Sequence, residues 1–574
     1  MVRRVIMFVR RIRRRNGKVS VVLVEGYRIN GKVKQRMVEY LGTESDLIKD
    51  DPEAINKLVA KYKTKQAQTD AFVKLVLRLN QNIAEQNSIR NYGYFYLERM
   101  YEELGLSELC QQIQKEQRVK YDLNHCLKLL CFMRALNPCS KKSSLEQGFD
   151  FFVEDYNLKL EQIYRSLTIL KRYKADFVTT MHSALCNSYQ RKTDILYYDV
   201  TNYFFEIDEE DSFRRRGCSK EYRPLPIIQM GMFIDNQGLP VDFYLYEGNH
   251  PDCTTLRPSF SQIKKSYGAE KVIITADKGL NSGSNIGYLL SENNGYILSQ
   301  RIRGASKDLK AIVLAGEGWK TDFAERFKLK EFTRSIKVTY PDGSVHKHQQ
   351  KVIAIWSEKY QHKEKATRDS LLELVSQLAK DPSKFKQSCH KGMKKYIDEI
   401  AIDKRTGEKT NAVCITTVLN QKKIAEDEEL DGYYLIVTSE IELSATEIIE
   451  KYRGLWRIEE AFRITKADLK SRPIFVRTRE HIEAHFLTCF IALTLLKMLE
   501  IRLKHRYSSR KIIDGLKSAV AIEISKNIYE INRREEVLDI LDIMYQAKLG
   551  NRYVKAEQLR QYHARILDLV YTTP

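Results

Sequence analysis

The chain has 574 residues and a formal net charge of +21, with 43% hydrophobic and 30% charged residues. This balance excludes an intrinsically disordered chain, and the length predicts several domains. The excess of positive charge indicates a polyanionic partner. Nucleic acid is the favoured candidate, and an anionic membrane is the second. A basic enzyme without such a partner is the plainer alternative.

Residues 1–45 are predicted to form a small basic β meander. The pairs Asn16-Gly17 and Asn30-Gly31 separate strand-like runs, and Asn-Gly is the preferred two-residue hairpin turn. Lys and Arg outnumber acidic residues in these runs, so we expect the meander to hold nucleic-acid phosphates. An ordinary solvated sheet is the alternative. The candidate phosphate-binding residues are Arg10, Arg11, Arg13, Arg14 and Arg15.

The stretch before residue 16 has no continuous apolar region, so it is not a secretion signal. The longest apolar run, Phe486–Leu496, is too short to span a bilayer and ends at Lys497. The ten cysteines form no CxxC pair, which fits reduced thiols. We therefore expect a cytoplasmic protein without a membrane partner.

Beyond the meander, apolar spacing and residue type predict a multidomain α+β chain. Residues 46–190 show the i, i+3, i+4 pattern of a helical domain. Residues 191–303 predict strand, strand, strand, helix, strand, helix, strand, the order of a ribonuclease H-like α/β core. A mostly β insertion follows at 304–443. Residues 444–500 return to the core, and 501–574 are predicted to be helical with a hypothetical role in dimerisation.

Two aspartates lie where the predicted strands would place a ligand. Asp199 lies mid-strand on the same face as Tyr197 and Tyr203, and burying its carboxylate is costly unless it is paired or binds metal. Asp277 follows the run "VIITA", at the carboxyl end of a strand, where open α/β sheets bind ligands. A structural hydrogen-bond acceptor is the alternative for each residue taken alone.

The stretch "TEIIEKYRGLWRIEEAFRITKADLK" (446–470) predicts an amphipathic helix that starts at a capping box of Ser444 and Glu447. Tyr452, Glu459 and Lys466 recur every seven residues and fall on one side, together with the apolar positions Ile448, Leu455 and Phe462. Glu459 is therefore expected to face the protein. Glu460 points about 100° away, toward solvent or a neighbour.

Asp199, Asp277 and Glu459 together could hold two Mg²⁺ ions, since Mg²⁺ requires oxygen ligands. Two such ions would activate a water or a 3′-hydroxyl for in-line attack on a phosphodiester. Without metal, mutual repulsion would raise one or more of the pKa values. His481 and His485 are spaced for a helical metal pair, but the stretch "HIEAH" is not HExxH, and helix packing is the favoured interpretation.

The stretches "YYDVTNYFFE", "ITADKGL" and "YRGLWRIEEAF" resemble the DDE transposases of bacterial insertion sequences, in the branch with a β-rich domain inserted before the final glutamate. The resemblance runs from about residue 194 to 485. It implies that Asp199, Asp277 and Glu459 are the catalytic, metal-binding triad, with Mg²⁺ as cofactor and Mn²⁺ as a substitute. The family's Tyr, Arg, Glu, Lys helix signature maps onto Tyr452, Glu459 and Lys466, but Leu455 stands where the arginine belongs.

The resemblance further implies phosphate or DNA contacts by Lys466 and Tyr452, and by Arg453 or Arg457 in place of the missing arginine. Trp456 either inserts among DNA bases or packs. The implied activity is cleavage at the terminal inverted repeats of an insertion sequence and joining of the 3′-OH ends to target DNA, by a cut-and-paste route. A homodimer would act on two double-stranded ends. The alternatives are a catalytically silent DNA-binding protein and a ribonuclease H-type metal-dependent nuclease.

Overall fold

The computed structural model describes residues 6–14, 17–29, 32–67, 89–151, 157–221, 223–267, 271–322, 326–379, 394–401, 415–525, 527–532, 535–547, 549 and 551–568. The chain divides into two compact units, Met1–Gln86 and Asn87–Pro574. Both contain helices and sheets, so the predicted mixed α+β class is confirmed.

The first unit contains the predicted three-stranded meander followed by helices. Its described elements are β1 (Ile6–Arg13), β2 (Val19–Ile29), β3 (Lys32–Thr43), α1 (Glu44–Asp50) and α2 (Ala54–Ala67). β2 pairs antiparallel with both neighbours, and its residues 21–24 are buried. Gly17 has φ +79°, the left-handed value that an Asn-Gly turn requires. Asn16 and the pair Asn30-Gly31 lie outside the described residues.

The second unit begins with a short strand and a set of helices. These elements are β4 (Ile89–Asn91), α3 (Tyr94–Glu103), α4 (Leu106–Glu116), α5 (Leu123–Leu136), α6 (Lys141–Phe151), α7 (Leu160–Arg172) and α8 (Lys174–Tyr189). Nearly every side chain of α5 is buried. The predicted helical region therefore packs into the same core as the sheet that follows, because a helix that is apolar on all sides needs partners all around it.

The next stretch shows the predicted element order of three strands, a helix, a strand, a helix and a strand. The elements are β5 (Ile195–Phe204), β6 (Ile227–Ile234), β7 (Pro240–Glu247), α9 (Leu256–Tyr267), β8 (Ile273–Ala276), α10 (Gly283–Ser291) and β9 (Gly295–Gln300). β8 pairs parallel with β5 and β9, whereas β6 is antiparallel to β5 and β7. The spatial order is β9-β8-β5-β6-β7.

Residues 304–443 differ from the separate, mostly β domain that we predicted. They form α11 (Lys307–Leu314), β10 (Lys320–Asp322), β11 (Phe327–Thr339), β12 (Val345–Ser357), α12 (Glu358–Ala379), β13 (Ile397–Ala401), β14 (Ile415–Leu419), α13 (Gln421–Glu429) and β15 (Tyr433–Thr438). β15 pairs with β9, and β12, β11 and β10 follow outward, so one sheet of nine strands results. Residues 352–355 of β12 are all buried, as in a strand covered on both faces.

The predicted helix at 446–470 is divided into three pieces. α14 (Ala445–Arg453) and α15 (Trp456–Arg463) are separated at Gly454, and a π-helical turn (Ile464–Asp468) follows. α16 (Arg479–Arg502) then crosses the core. Among the described residues, α16 is the one helix long and apolar enough to cross a membrane. However, 94% of its most apolar 18-residue stretch is buried inside the protein.

The C-terminal region is less helical than predicted. It contains α17 (Ser509–Ser518), β16 (Val520–Ser525), β17 (Ile528–Ile531), α18 (Glu536–Met544), β18 (Tyr553–Lys555) and α19 (Ala556–Asp568). The three strands join β4 in a four-stranded sheet ordered β18-β17-β16-β4. These strands have three to six residues, too few for a clear alternating pattern in the sequence.

A buried ion pair fastens the end of α8 to the hairpin between β6 and β7. Arg191 Nε lies 2.8 Å from Asp235 Oδ2, and both side chains are at most 1% exposed. Asp235 Oδ1 also accepts the backbone N–H groups of Gln237 and Leu239, each at 2.9 Å. The hairpin that carries β6 beside β5 therefore depends on one carboxylate whose charge is balanced by one guanidinium.

Replacing Arg191 with Met should lower the free energy of unfolding by about 3–5 kcal/mol, because Asp235 would stay buried without its counter-charge. Urea unfolding followed by circular dichroism measures this loss. The same substitution at Arg165, whose pair with Glu161 is exposed on α7, should change stability by less than about 1 kcal/mol. Equal effects of the two substitutions would contradict the structural role of the buried pair.

Candidate active site

Asp199 lies in the middle of β5, on the sheet face that α15 and α16 cover. Its side chain is half-buried, and Oδ1 accepts the backbone N–H of Val200 at 2.7 Å. The pKa of Asp199 is raised to about 6, chiefly by burial. The positive charge of Lys220 and the hydrogen bond from Val200 oppose this rise, and the negative charges of Asp277 and Glu459 add to it. Burial is therefore the main reason that this carboxyl group is harder to ionise.

Asp277 directly follows β8, at the carboxyl end of that strand as predicted. The residue is exposed. Ser299, on the neighbouring parallel strand β9, donates its hydroxyl to Asp277 Oδ1 at 3.0 Å. Because β8 and β9 run in the same direction beside β5, Asp277 and Asp199 come to the same end of the sheet.

The helix that brings Glu459 begins as predicted and is interrupted where the prediction had none. The carboxylate of Glu447 accepts the N–H of Ser444 at 2.9 Å, and Ser444 Oγ accepts the N–H of Glu447 at 3.2 Å, completing the capping box. At Gly454 a Cβ would lie 2.1 Å from the hydroxyl oxygen of Tyr197. Glycine thus lets the helix pass directly over β5.

Glu459 is more exposed than Glu460, which is the reverse of the predicted order. Glu459 is exposed and lines the cleft that contains Asp199 and Asp277, rather than facing the protein interior. Glu460 is half-buried and bonds with Lys497 Nζ at 2.7 Å. The apolar side of the helix is as predicted, with Ile448, Leu455 and Phe462 at most 9% exposed. The cleft is open to solvent, so a residue on this side can still be accessible.

The three carboxylates line one cleft of about 250 Å³. In the described part of the chain, no group of three or more His, Cys, Asp or Glu side chains is close enough to hold a metal ion. The set still fits Mg²⁺ by its chemistry, because all donors are carboxylate oxygens and Mg²⁺ keeps several of its waters. An open, partly solvated cleft with excess negative charge is suited to such a hydrated cation.

Lys466 lies beside the cleft, on the π-helical turn. Its Nζ donates to Thr201 Oγ1 of β5 at 2.7 Å and lies 3.8 Å from a carboxylate oxygen of Glu221. Burial and, to a smaller extent, the positive charge of Lys220 lower the pKa of Lys466 to about 8, against the opposing charge of Asp199. Glu221 also forms an ion pair with Arg472, so its carboxylate lies between the positive charges of Lys466 and Arg472.

The other predicted residues of this helix divide between two cavities. Tyr452, Arg453 and Trp456 line the acidic cleft, and Trp456 is 55% exposed. Burial raises the pKa of Tyr452 to about 12. Arg457 instead stacks its guanidinium 5.4 Å from the Trp456 ring centroid and lines an adjoining cavity of about 650 Å³. Of the two arginines considered in place of Leu455, Arg453 is the one in the cleft.

The predicted phosphate-binding arginines of the first unit are exposed where the structure describes them, at Arg10, Arg11, Arg13 and Arg14. Arg10 donates to Gln35 at 2.5 Å, and Arg11 forms an ion pair with Glu44 at 3.0 Å. The guanidinium of Arg14 lies 5.4 Å from the Tyr40 ring centroid. Arg15 lies outside the described residues.

The two histidines of "HIEAH" have separate packing contacts. His481 lies 3.3 Å from Thr168 Oγ1 and stacks on Tyr164. His485 is buried, with Nε2 3.0 Å from the Ser471 carbonyl oxygen and Nδ1 3.4 Å from Lys141 Nζ. Because the Ser471 carbonyl can only accept, Nε2 donates to it and Nδ1 of the neutral ring is left to accept from Lys141. Burial lowers the pKa of both groups, that of Lys141 to about 7.

Sequence reasoning missed four polar residues at this site: Lys220, Glu221, Ser299 and Arg472. Lys220 and Glu221 belong to the charged stretch "RRRGCSKEYR" between β5 and β6, and its position directly after the aspartate strand was an available signal. Ser299 and Arg472 carried no such signal, because their role depends on which strands and turns become neighbours.

Comparison with protein families gives two matches. The family described as "Transposase DDE domain" matches residues 216–495, and the one described as "IS1634 family transposase, N-terminal domain" matches residues 9–71. Asp277 and Glu459 lie within the first match, while Asp199 precedes it. The second match includes the basic meander. Comparison with curated proteins gives no match.

One similar solved structure is the cryo-EM structure of piggyBac transposase synaptic complex with hairpin DNA. The two chains are 9% identical, with a TM-score of 0.32, and the similarity covers 88% of this chain and 90% of the other. A likeness of this degree is too distant to support an argument about the present site.

Replacing Asp199 with Asn should stabilise the protein in EDTA at pH 7 by about 1–2 kcal/mol, since the raised pKa shows that burial disfavours the ionised carboxylate. Thermal and urea unfolding measure the change. Asp208→Asn, in the exposed loop after β5, removes the same charge elsewhere and should leave stability within about 0.5 kcal/mol. Destabilisation by Asp199→Asn would show that the carboxylate is a needed structural acceptor instead.

Proposed function

We propose, from the premise that the chain belongs to the DDE transposases of insertion sequences, that it cleaves DNA at the terminal inverted repeats of its element and joins the freed 3′-OH ends to target DNA. The observation that carries the proposal is the meeting of Asp199, Asp277 and Glu459 in one cleft beside Lys466 and Arg453. A basic enzyme with such a cleft is suited to phosphodiester chemistry.

Asp199, Asp277 and Glu459 would hold the divalent cations that this family uses, and we propose two Mg²⁺ ions, with Mn²⁺ as a substitute. The cations would lower the barrier by neutralising the charge that develops on attacking and leaving oxygens. In joining, the 3′-hydroxyl oxygen bonds to a target phosphorus, the bond from that phosphorus to its own 3′ oxygen breaks, and the leaving oxygen takes up a proton. Lys466 would hold a DNA phosphate close to the reacting group.

The domain assignment is part of the same proposal. Residues 191–303 and 444–500 would be a ribonuclease H-like core, with 304–443 as the insertion. Residues 1–45 and 46–190 would recognise the DNA ends, and 501–574 would contribute to a homodimer that holds two ends. Support for the core comes from its element order and for end recognition from the exposed arginines of β1.

The direct experiment incubates purified protein with labelled duplex carrying its element's end, with Mg²⁺ or EDTA, beside the Asp199→Ala variant. Mg²⁺-dependent cleavage at the element boundary that the variant lacks, followed by joined products, would establish the proposed activity. Cleavage without joining would indicate a plain nuclease. Tight end binding without cleavage under any divalent metal would indicate a silent DNA-binding protein.

The substitution Glu459→Gln should reduce cleavage by at least about a hundred-fold while end binding is kept, because a metal ligand contributes several kcal/mol to the transition state. A gel-based cleavage assay and a filter-binding assay on one preparation separate these effects. Glu460→Gln, its neighbour paired with Lys497, is the matched control and should cleave normally. Equal loss in both variants would exclude a specific role for Glu459.

Changing Arg10, Arg13 and Arg14 together to Gln should weaken end binding and flatten its dependence on salt by roughly one unit of slope per lost phosphate contact. Fluorescence anisotropy across a salt series gives both quantities. Lys49→Gln, an exposed cation on α1 of the same unit, provides the control. An unchanged slope in the triple variant would remove the meander from the DNA interface.

A further inference from the structure

A second groove opens directly from the acidic cleft. It has a volume of about 590 Å³ and shares Asp277, Tyr434 and Tyr452 with the cleft. Its walls come from the segment after β9, the start of α12 and the start of β15. A cavity of about 520 Å³ adjoins this groove and shares Lys278, Gln300 and Arg301 with it. An open basic surface thus leads away from the carboxylates.

Four exposed cations line this groove: Lys278, which neighbours Asp277 in the chain, and Arg301, Lys359 and Lys363. Within the described ranges none of them has a carboxylate within 4 Å, so their charges are available to a ligand. Lys359 and Lys363 lie one turn apart on α12 and project from the same face. Arg303 differs, because Glu364 and Asp431 bind its guanidinium at 2.5 and 2.8 Å and hold it as part of the wall.

Aromatic side chains accompany the cations. Tyr360, Tyr433 and Tyr434 line the same groove, and the Tyr360 and Tyr434 rings meet edge to face at 5.7 Å. Lysine and arginine cations hold the phosphates of duplex DNA, and tyrosine hydroxyl groups donate to phosphate oxygens as well. The chemistry of the groove therefore fits DNA better than a small neutral ligand.

The groove and Lys466 lie on opposite sides of the carboxylates. Lys466 is bonded to β5, whereas the groove follows β9, and in the sheet β8 lies between β5 and β9. Asp277, at the end of β8, is thus flanked by positive charge on both sides. A joining reaction brings two separate DNA molecules to one centre, and two basic surfaces that meet at the carboxylates can each hold one of them.

We infer that this groove binds the target DNA, and this inference rests on the proposed function. The reason for assigning it to the target is specificity. Phosphate contacts hold DNA without reading its sequence, and the groove presents cations on a shallow, open surface. Element ends must be recognised by sequence, whereas a groove of this type accepts DNA of many sequences.

The test uses the full-length protein with Arg301, Lys359 and Lys363 all changed to Ala. Two reactions are measured on the same preparation: cleavage of the element end, and joining of a pre-cleaved end with a free 3′-OH to a supercoiled plasmid. Joining should fall by roughly ten- to a hundred-fold near 0.15 M salt, as three lost phosphate contacts predict, and should recover as salt is lowered. Cleavage should stay within about twofold of the unaltered protein.

The matched control changes three other exposed lysines, Lys307, Lys365 and Lys422, to Ala, which removes the same charge outside the groove. It should join DNA normally. Normal joining by the groove variant, or an equal loss in the control, would overturn the assignment. Loss of end cleavage together with joining would show that the groove holds the element's own DNA. Absence of cleavage in the unaltered protein would instead overturn the proposed function itself.

Discussion

The electrostatic cost of bringing Asp199, Asp277 and Glu459 into one cleft is the constraint on which the rest of the catalytic unit depends. The pKa of Asp199 is raised to about 6, chiefly by burial and to a smaller extent by the charges of its two acidic neighbours. The surrounding basic residues partly compensate for this, because Lys220 opposes the shift and Lys466 is anchored to Thr201 beside it. A divalent cation held by the three carboxylates would oppose the remaining repulsion between them.

Much of this arrangement could be predicted from the sequence, because strand and helix signals here are strong and local. The alternation in β5 placed Asp199 on the face with Tyr197 and Tyr203, and both of those rings lie in the core beneath α15 and α16. The capping box at Ser444 fixed the start of α14. These features depend on neighbours within a few residues, which is the range that periodicity and capping chemistry describe.

What could not be predicted depends on contacts between distant segments. The helix is interrupted at Gly454, where the hydroxyl group of Tyr197 leaves no room for a Cβ, and no local sequence pattern predicts that close approach. The strands of 304–443 read as a separate domain, yet β15 and β12 continue the central sheet through pairing with β9. The sequence left open whether Glu460 faces solvent or a neighbour, and only the position of α16 identifies Lys497 as its partner. Each difference is a case of tertiary pairing deciding the role of a locally ambiguous segment.

The most direct test of the account is the binding of Mn²⁺, a spectroscopically visible stand-in for Mg²⁺, measured by electron paramagnetic resonance with a short duplex of the element's end bound. If the three carboxylates form one cation site, the unaltered protein will bind Mn²⁺, and Asp199→Ala, Asp277→Ala and Glu459→Gln will each lose bound metal while Glu460→Gln keeps it. Undiminished Mn²⁺ binding in the three single variants would contradict a shared site and with it the central claim.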